Sequence, residues 1–175
     1  MLTINFFDYN NRQRTKREFF GLCDDDDKKP AYIDADLSNK DIKWIGIVEN
    51  PEKKEVLFYP VDNCVDLKID EVKMAKRCEG ILCFENNNLI FTELKNWKIT
   101  PNDWLTKGKE QIIETLSYFL KYYKSSNYKI KAWISNKSLT NQNYATQILQ
   151  FRAETKEKLN LKIGLVLFVQ KTIKI

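Results

Sequence analysis

The most constraining stretch of this chain is a pair of apolar runs at residues 78–84 and 89–95, joined by an asparagine cluster. Short apolar runs separated by turn residues are typical of a β-hairpin. Glu79, Glu93 and Lys95 nevertheless lie inside this hairpin, at positions where a core strand would favour aliphatic residues. Because side chains alternate along a strand, Glu93 and Lys95 share one face and Leu94 lies on the other. The hairpin therefore carries charge at one end of an apolar surface.

The length of the turn decides whether Glu79 meets Glu93. A four-residue loop at 85–88 would place Glu79 opposite Leu94, whereas a three- or five-residue loop centred on Asn86 would place it opposite Glu93. Three-residue hairpin loops usually need one residue in the left-handed conformation, which asparagine tolerates. The asparagine cluster therefore predicts an odd-length loop, or a bulge with the same effect, and two facing carboxylates.

Downstream of the hairpin, helical and extended patterns alternate. Apolar residues recur at helical spacing over 100–123, and an amphipathic helix is also predicted over 143–159. Residues 128–135 alternate as a strand does, and 161–170 are almost wholly apolar, as expected of a strand covered on both faces. The order of elements predicts an α/β (α+β) fold with a mixed central β-sheet flanked by helices.

The N-terminal part mixes short elements, and no linker or internal repeat separates it from the rest. Residues 43–48 and 55–61 are strand-like, and 12–20 are interpreted as a basic helix. With 175 residues, of which 43% are hydrophobic, the chain is expected to form a single domain over 1–175.

Composition excludes several kinds of site. The chain has no histidine, which excludes Ser-His-Asp, Cys-His and Cys2His2 chemistry. Its four cysteines form no CxxC pair and are expected to be reduced, which favours a cytoplasmic location. The first 20 residues do not have the features of a signal peptide, and no apolar run would span a bilayer. The net charge of +5 permits a polyanionic partner without requiring one.

Two facing carboxylates repel each other unless a cation lies between them. An oxygen-only site with two carboxylates suits Mg²⁺ or Mn²⁺ better than zinc. A neighbouring lysine can orient water or stabilise charge on a phosphate. Glu79, Glu93 and Lys95 therefore predict a site that hydrolyses phosphodiesters. The N-terminal region holds further carboxylates, and one of them could complete the metal site: Asp34, Asp36 or Asp62.

The same residues carry a family resemblance. An acidic residue, a spacer and then Glu-x-Lys on an apolar strand, here Glu79 and the tripeptide 93–95, resembles the PD-(D/E)XK nuclease superfamily. Gln111 resembles the glutamine that helices of this superfamily often direct at the site. The resemblance covers roughly residues 76–170 and implies a restriction-endonuclease-like core in 76–175, with 1–75 as an N-terminal elaboration. The first acidic position is usually aspartate in the superfamily and is glutamate here.

The resemblance also implies a role for each residue. Glu79 and Glu93 would bind Mg²⁺ or Mn²⁺, and the carbonyl of Leu94 would add a ligand. Lys95 would position or activate the attacking water, and Gln111 would support water or phosphate.

Other side chains on the helix after the hairpin are candidates for nucleic-acid binding: Lys107, Lys109 and Tyr118. The implied activity is a metal-dependent endo- or exonuclease that acts on DNA in preference to RNA, with no membrane partner. Since little of the chain is free for recognition, sequence specificity would require a homodimer or a partner protein.

Two alternatives stay open. A catalytically inactive protein of the same fold would act as a binding, regulatory or immunity module. An unrelated α+β structural domain would require Glu79 and Glu93 to point apart.

Overall fold

The computed structural model describes residues 4–25, 28–69, 73–96, 103–139 and 143–175. In these ranges the chain forms ten strands and two α-helices. The strands are β1 (Gln13–Thr15), β2 (Phe19–Cys23), β3 (Tyr32–Asp34), β4 (Gly46–Glu49), β5 (Val56–Pro60), β6 (Gly80–Phe84), β7 (Asn88–Lys95), β8 (Lys129–Asn136), β9 (Val166–Val169) and β10 (Thr172–Lys174). The helices are α1 (Asp103–Tyr122) and α2 (Ala145–Lys158), and short 3-10 turns lie at Leu37–Asn39 and Ser125–Asn127. The predicted mixed α+β class is confirmed.

The strands form two sheets. The larger has six strands in the order β1-β5-β6-β7-β8-β9, antiparallel from β1 to β7 and parallel from β7 to β9. The smaller has four strands in the order β10-β4-β2-β3, in which only the β4–β10 pair is parallel. Strands from the N-terminal and C-terminal parts of the chain therefore share both sheets.

The six-stranded sheet lies between the helices and the smaller sheet, because its strands are apolar on both faces. On one face, Phe91 and Ile134 pack in a core with Leu116 and Phe119 of α1. On the other face, a second core contains Ile90, Leu94 and Trp133 of the large sheet together with strands of the small sheet. Successive side chains of β7 point to opposite faces of the sheet. Glu93 is therefore on the same face as Leu89 and Phe91, which is the face covered by the helices.

Residues 12–20 contain β1 and the first two residues of β2, so the predicted basic helix is wrong. Gln13 in β1 bonds to a neighbouring segment: its Oε1 accepts a hydrogen bond of 2.6 Å from the N–H of Ile33. In β2, Phe20 and Leu22 are fully buried while Phe19 is partly exposed. All of β2 after Phe19 is buried, and this burial depends on partners that are distant in sequence, which a local charge pattern does not indicate.

Residues 161–170 do not form one strand covered on both faces. β9 takes only Val166–Val169 and lies at the edge of the large sheet, where Val166 is exposed. After β9, the chain crosses to the small sheet as β10, where Ile173 is buried. In the described part of the chain, neither helix combines the length and apolar character that a bilayer span requires.

Candidate active site

The loop of the β6–β7 hairpin sets the geometry of the site. The strands pair as far as Phe84 with Asn88, which leaves a three-residue loop at 85–87. Glu85 and Asn86 in this loop are left-handed, with φ of 50° and 62°. The predicted odd-length loop is therefore confirmed, with a glutamate as well as an asparagine in the left-handed conformation.

This register places the two glutamates opposite each other. The last paired residues at the open end of the hairpin are Gly80 and Thr92. Glu79 comes directly before Gly80, and Glu93 directly after Thr92, so the same register sets Glu79 against Glu93. This pairing does not support the alternative of an unrelated α+β structural domain, which would require Glu79 and Glu93 to point apart.

Both carboxylates are enclosed by protein. Glu93 is 0% exposed and Glu79 is 8% exposed. Helix α1 comes close to the sheet at this point because Gly108 has no side chain: a Cβ there would lie 3.2 Å from the Cγ of Glu93. Acidic side chains are rarely buried unless they are paired or bind a ligand, so this enclosure calls for a specific partner.

Burial changes the proton affinity of both groups. It raises the pKa of Glu79 to about 9, and the negative charge of Glu93 contributes to that rise. Burial also raises the pKa of Glu93 to about 7, although the neighbouring Lys95 ammonium acts in the opposite direction. Two adjacent acids with raised pKa values form a region of strong negative potential whenever they ionise, and this favours a bound cation.

Lys95 supplies one positive charge to this region. It lies two residues after Glu93 on the same face of β7, and its ammonium forms an ion pair with Glu93 Oε1. The same Nζ donates a hydrogen bond of 2.8 Å to Oε1 of Gln111 on α1. The structure therefore brings together four residues predicted from the sequence: Glu79, Glu93, Lys95 and Gln111.

A hydrogen-bond chain continues beyond Gln111. Its Nε2 donates to the backbone carbonyl of Arg77 at 3.0 Å. The Arg77 side chain forms an ion pair of 2.9 Å with Asp62, which follows β5. Arg77 was not predicted as a site residue, because no motif connects it to Gln111. Its place depends on how α1 lies against the segment before β6.

The other carboxylates differ in whether they influence the site. The charges of Asp62 and Asp24 both raise the pKa of Glu79, so these acids lie close enough to influence the site. Asp34 instead accepts a hydrogen bond of 3.1 Å from the Trp44 indole. Asp36 caps the 3-10 turn that begins at Leu37. Asp24 was not among the carboxylates predicted from the sequence to complete the site.

The donor atoms fit a hard divalent cation such as Mg²⁺ or Mn²⁺. Glu93 Oε2 is fully buried and has no hydrogen-bond partner among the described residues. Carbonyl groups of neighbouring residues in a strand point to opposite sides of that strand. The Lys95 carbonyl accepts a hydrogen bond from the N–H of Lys137, on the β8 side of β7. The Leu94 carbonyl therefore points to the other side of β7, where Glu79 lies.

The described residues contain no group of three or more acidic, cysteine or histidine side chains arranged to hold a metal ion. Mg²⁺ commonly uses one or two carboxylates and retains several waters, so two glutamates and one carbonyl are a sufficient protein contribution.

The three predicted nucleic-acid contacts lie in different environments. Lys107 is exposed one helical turn before Gln111, and both line a surface cavity of about 410 Å³. Tyr118 donates a hydrogen bond of 2.8 Å to the carbonyl of Lys68. Lys109 is buried and its Nζ lies 3.8 Å from Glu154 of α2, so the structure does not bring it to the same surface as Lys107.

Comparison with known proteins gives no match: no family model, no curated protein and no solved structure is significantly similar to this chain. The site is thus defined by its own geometry, as a buried pair of carboxylates with an adjoining lysine and glutamine.

Proposed function

We propose that this protein is a metal-dependent nuclease of the PD-(D/E)XK type that hydrolyses phosphodiester bonds, with DNA as the preferred substrate. The main support is the convergence of Glu79 and Glu93 from two neighbouring β-segments, with the ammonium of Lys95 against Glu93. Buried acids with raised pKa values are costly to stability and are common at functional sites.

Each residue has a defined task in this proposal. Glu79 and Glu93 would hold Mg²⁺ or Mn²⁺ through their carboxylate oxygens, together with the carbonyl of Leu94. When bound, such an ion would polarise the scissile phosphate and lower the pKa of the attacking water. Lys95 would orient that water or stabilise negative charge on the phosphate. Gln111 holds the Lys95 ammonium at 2.8 Å and so limits where it can point.

The substrate and setting are part of the same proposal. The net charge of +5 and the exposed Lys107 suit a polyanion. Four free thiols, at Cys23, Cys64, Cys78 and Cys83, are compatible with a reducing cytoplasm. A homodimer or a partner chain would supply sequence specificity.

The direct test is cleavage of plasmid, single-stranded DNA and RNA with Mg²⁺ or Mn²⁺. We expect DNA cleavage that EDTA abolishes, and a loss of about 10²–10³-fold in Lys95→Ala. Glu93→Gln should be at least as severe. Glu85→Gln, in the exposed loop of the same hairpin, and Lys174→Ala, exposed on the other sheet, are matched controls that should keep full activity. Cleavage that survives both site substitutions would refute the mechanism.

A second candidate is a catalytically inactive protein of the same fold that acts as a binding, regulatory or immunity module. Two observations favour it: Glu79 occupies the position that is usually aspartate, and Lys95 already neutralises the buried Glu93. Calorimetric titration with Mn²⁺ separates the candidates. The nuclease should bind Mn²⁺ in a way that Glu93→Gln abolishes, whereas an inactive module should show no such carboxylate-dependent affinity.

A further inference from the structure

The two residues before Glu79 are attached to helix α1. The backbone N–H of Cys78 donates a hydrogen bond of 2.8 Å to Thr115 Oγ1. The carbonyl of Arg77 accepts the 3.0 Å bond from Gln111 already described. Thr115 is 0% exposed, and its hydroxyl donates in turn to the Gln111 carbonyl at 2.8 Å. One turn of α1 therefore binds the chain immediately before the first acidic residue of the site.

Glu79 depends on this attachment because the β6–β7 ladder stops one residue short of it. β6 begins at Gly80, so the last ladder pair is Gly80 with Thr92. On the other side, the Glu79 carbonyl accepts a hydrogen bond of 2.9 Å from the N–H of Val61. The position of the Glu79 backbone is thus set by Val61 on one side and by the Thr115–Cys78 bond just before it.

We propose that Thr115 is a positioning residue for the metal site. By accepting the Cys78 N–H, it fixes the backbone that carries Glu79 and so sets the approach of its carboxylate to Glu93. Its bond to the Gln111 carbonyl also holds the helical turn that presents Gln111 to Lys95. Thr115 acts through these residues and does not itself touch metal or substrate. This inference rests on the proposed metal-dependent function.

The chain contains a closely matched control on its second helix. Thr155 of α2 is also 0% exposed, and its hydroxyl donates to the Phe151 carbonyl at 2.9 Å. It accepts a hydrogen bond of 2.9 Å from the N–H of Leu165, directly before β9. The two threonines therefore make the same pair of bonds, but Thr155 holds a segment that carries no buried acid.

The experiment compares Mn²⁺ affinity in the wild type, Thr115→Val, Thr115→Ser and Thr155→Val. Valine keeps the shape and removes the hydroxyl, whereas serine keeps the hydroxyl. We expect Thr115→Val to weaken Mn²⁺ binding about 10-fold or more, as loss of a group that orients a metal ligand commonly does. Thr115→Ser should restore it to near the wild-type value, and Thr155→Val should leave it unchanged although both valine variants lower stability.

A metal-free measurement accompanies the titration. Amide hydrogen exchange at Cys78 and Glu79 should accelerate in Thr115→Val and stay at the wild-type rate in Thr155→Val. If Thr115→Val does not fold, Thr115→Ala serves in its place with the same expected results.

The outcomes separate the two proposals. Wild-type protein with no carboxylate-dependent Mn²⁺ affinity would refute the metal-dependent function, and the positioning role with it. Wild-type binding that Thr115→Val leaves intact, or that Thr155→Val weakens equally, would overturn the positioning role alone.

Discussion

The two helix–sheet junctions of this protein are built alike but enclose different chemistry. The first junction comprises α1 with β6 and β7, and the second comprises α2 with β9. Each uses a buried threonine to hold the segment before a strand, Thr115 in the first and Thr155 in the second. Each also has a glycine at a close approach, Gly108 and Gly164. The first junction encloses a buried acid pair and a lysine, whereas the second is held by packing and hydrogen bonds.

This difference indicates which features the fold needs and which it does not. The second junction docks its helix with a threonine hydroxyl bond, a small residue at the contact and apolar packing that includes Phe151, and its threonine holds a segment that carries no buried acid. Buried ionisable groups carry a desolvation cost that packing alone would avoid. The cost at the first junction is therefore best explained by a role other than stability.

The largest effect is expected from Gly164→Ala at the second junction. A Cβ there would lie 1.8 Å from the backbone carbonyl oxygen of Arg152, and backbone atoms cannot rotate away. We expect a loss of about 3 kcal/mol in the free energy of unfolding, measured by urea denaturation. Mn²⁺ affinity of the protein that remains folded should equal that of the wild type. Weaker Mn²⁺ binding in this variant would contradict the division between the junctions.

The next largest effect is a dependence of stability on pH that belongs to the first junction. In the metal-free folded state the pKa values of Glu79 and Glu93 are raised above the ordinary 4.5. At pH values between the ordinary pKa and the raised pKa, the folded state binds more protons than the unfolded chain. The free energy of unfolding therefore falls as the pH rises. The share of Glu79 alone is expected to be a fall of about 2 kcal/mol between pH 5 and pH 7 in EDTA, measured from urea midpoints. Glu79→Gln should flatten this profile, and an unchanged profile in that variant would disprove the assignment.

A smaller change in stability is expected from Gly108→Ala at the first junction. A Cβ there would lie 3.2 Å from both Glu93 Cγ and Ile134 Cδ1, while alanine favours the helix by about 1 kcal/mol over glycine. These opposing effects should leave the free energy of unfolding within about 1 kcal/mol of the wild type. Mn²⁺ affinity and cleavage should nevertheless fall, because α1 is displaced above Glu93. Wild-type Mn²⁺ affinity in Gly108→Ala would argue against a site at this contact.

The smallest effect concerns two lysines that lie two residues apart on α1. Lys107→Ala should weaken DNA binding by a few-fold because an exposed phosphate contact is lost. The slope of the logarithm of the binding constant against the logarithm of the salt concentration should fall in magnitude by about 1. Lys109→Ala should leave that slope unchanged, since its Nζ is buried near Glu154. Fluorescence anisotropy over a salt series measures both. Equal slopes for Lys107→Ala and the wild type would exclude Lys107 from the DNA-binding surface.

The sequence predicts the first junction better than its surroundings. The asparagine cluster correctly indicated an odd-length loop, and alternation along β7 then placed Glu93 and Lys95 on one face. Helical periodicity identified α1 and the position of Gln111. These features follow from the geometry of turns, strands and helices, which depends on residues close together in the sequence.

Contacts between distant segments were not predictable in the same way. Nothing local to Thr115 indicates that it accepts the Cys78 N–H, because that bond requires the docked positions of α1 and β6. The strands at residues 12–20 were missed because β1 pairs with β5, more than 40 residues later. Lys109 looked like a surface cation by its charge, but the structure buries it, with its Nζ 3.8 Å from Glu154 of α2.

The outer strands of the large sheet bear on how two copies of this chain would associate. β1 has three residues and β9 has four, so each outer edge presents a brief row of backbone groups. Such short edges discourage the growth of one sheet into another. A dimer of this protein would accordingly join through side-chain surfaces, and substitutions on those surfaces could dissociate it without disturbing either sheet.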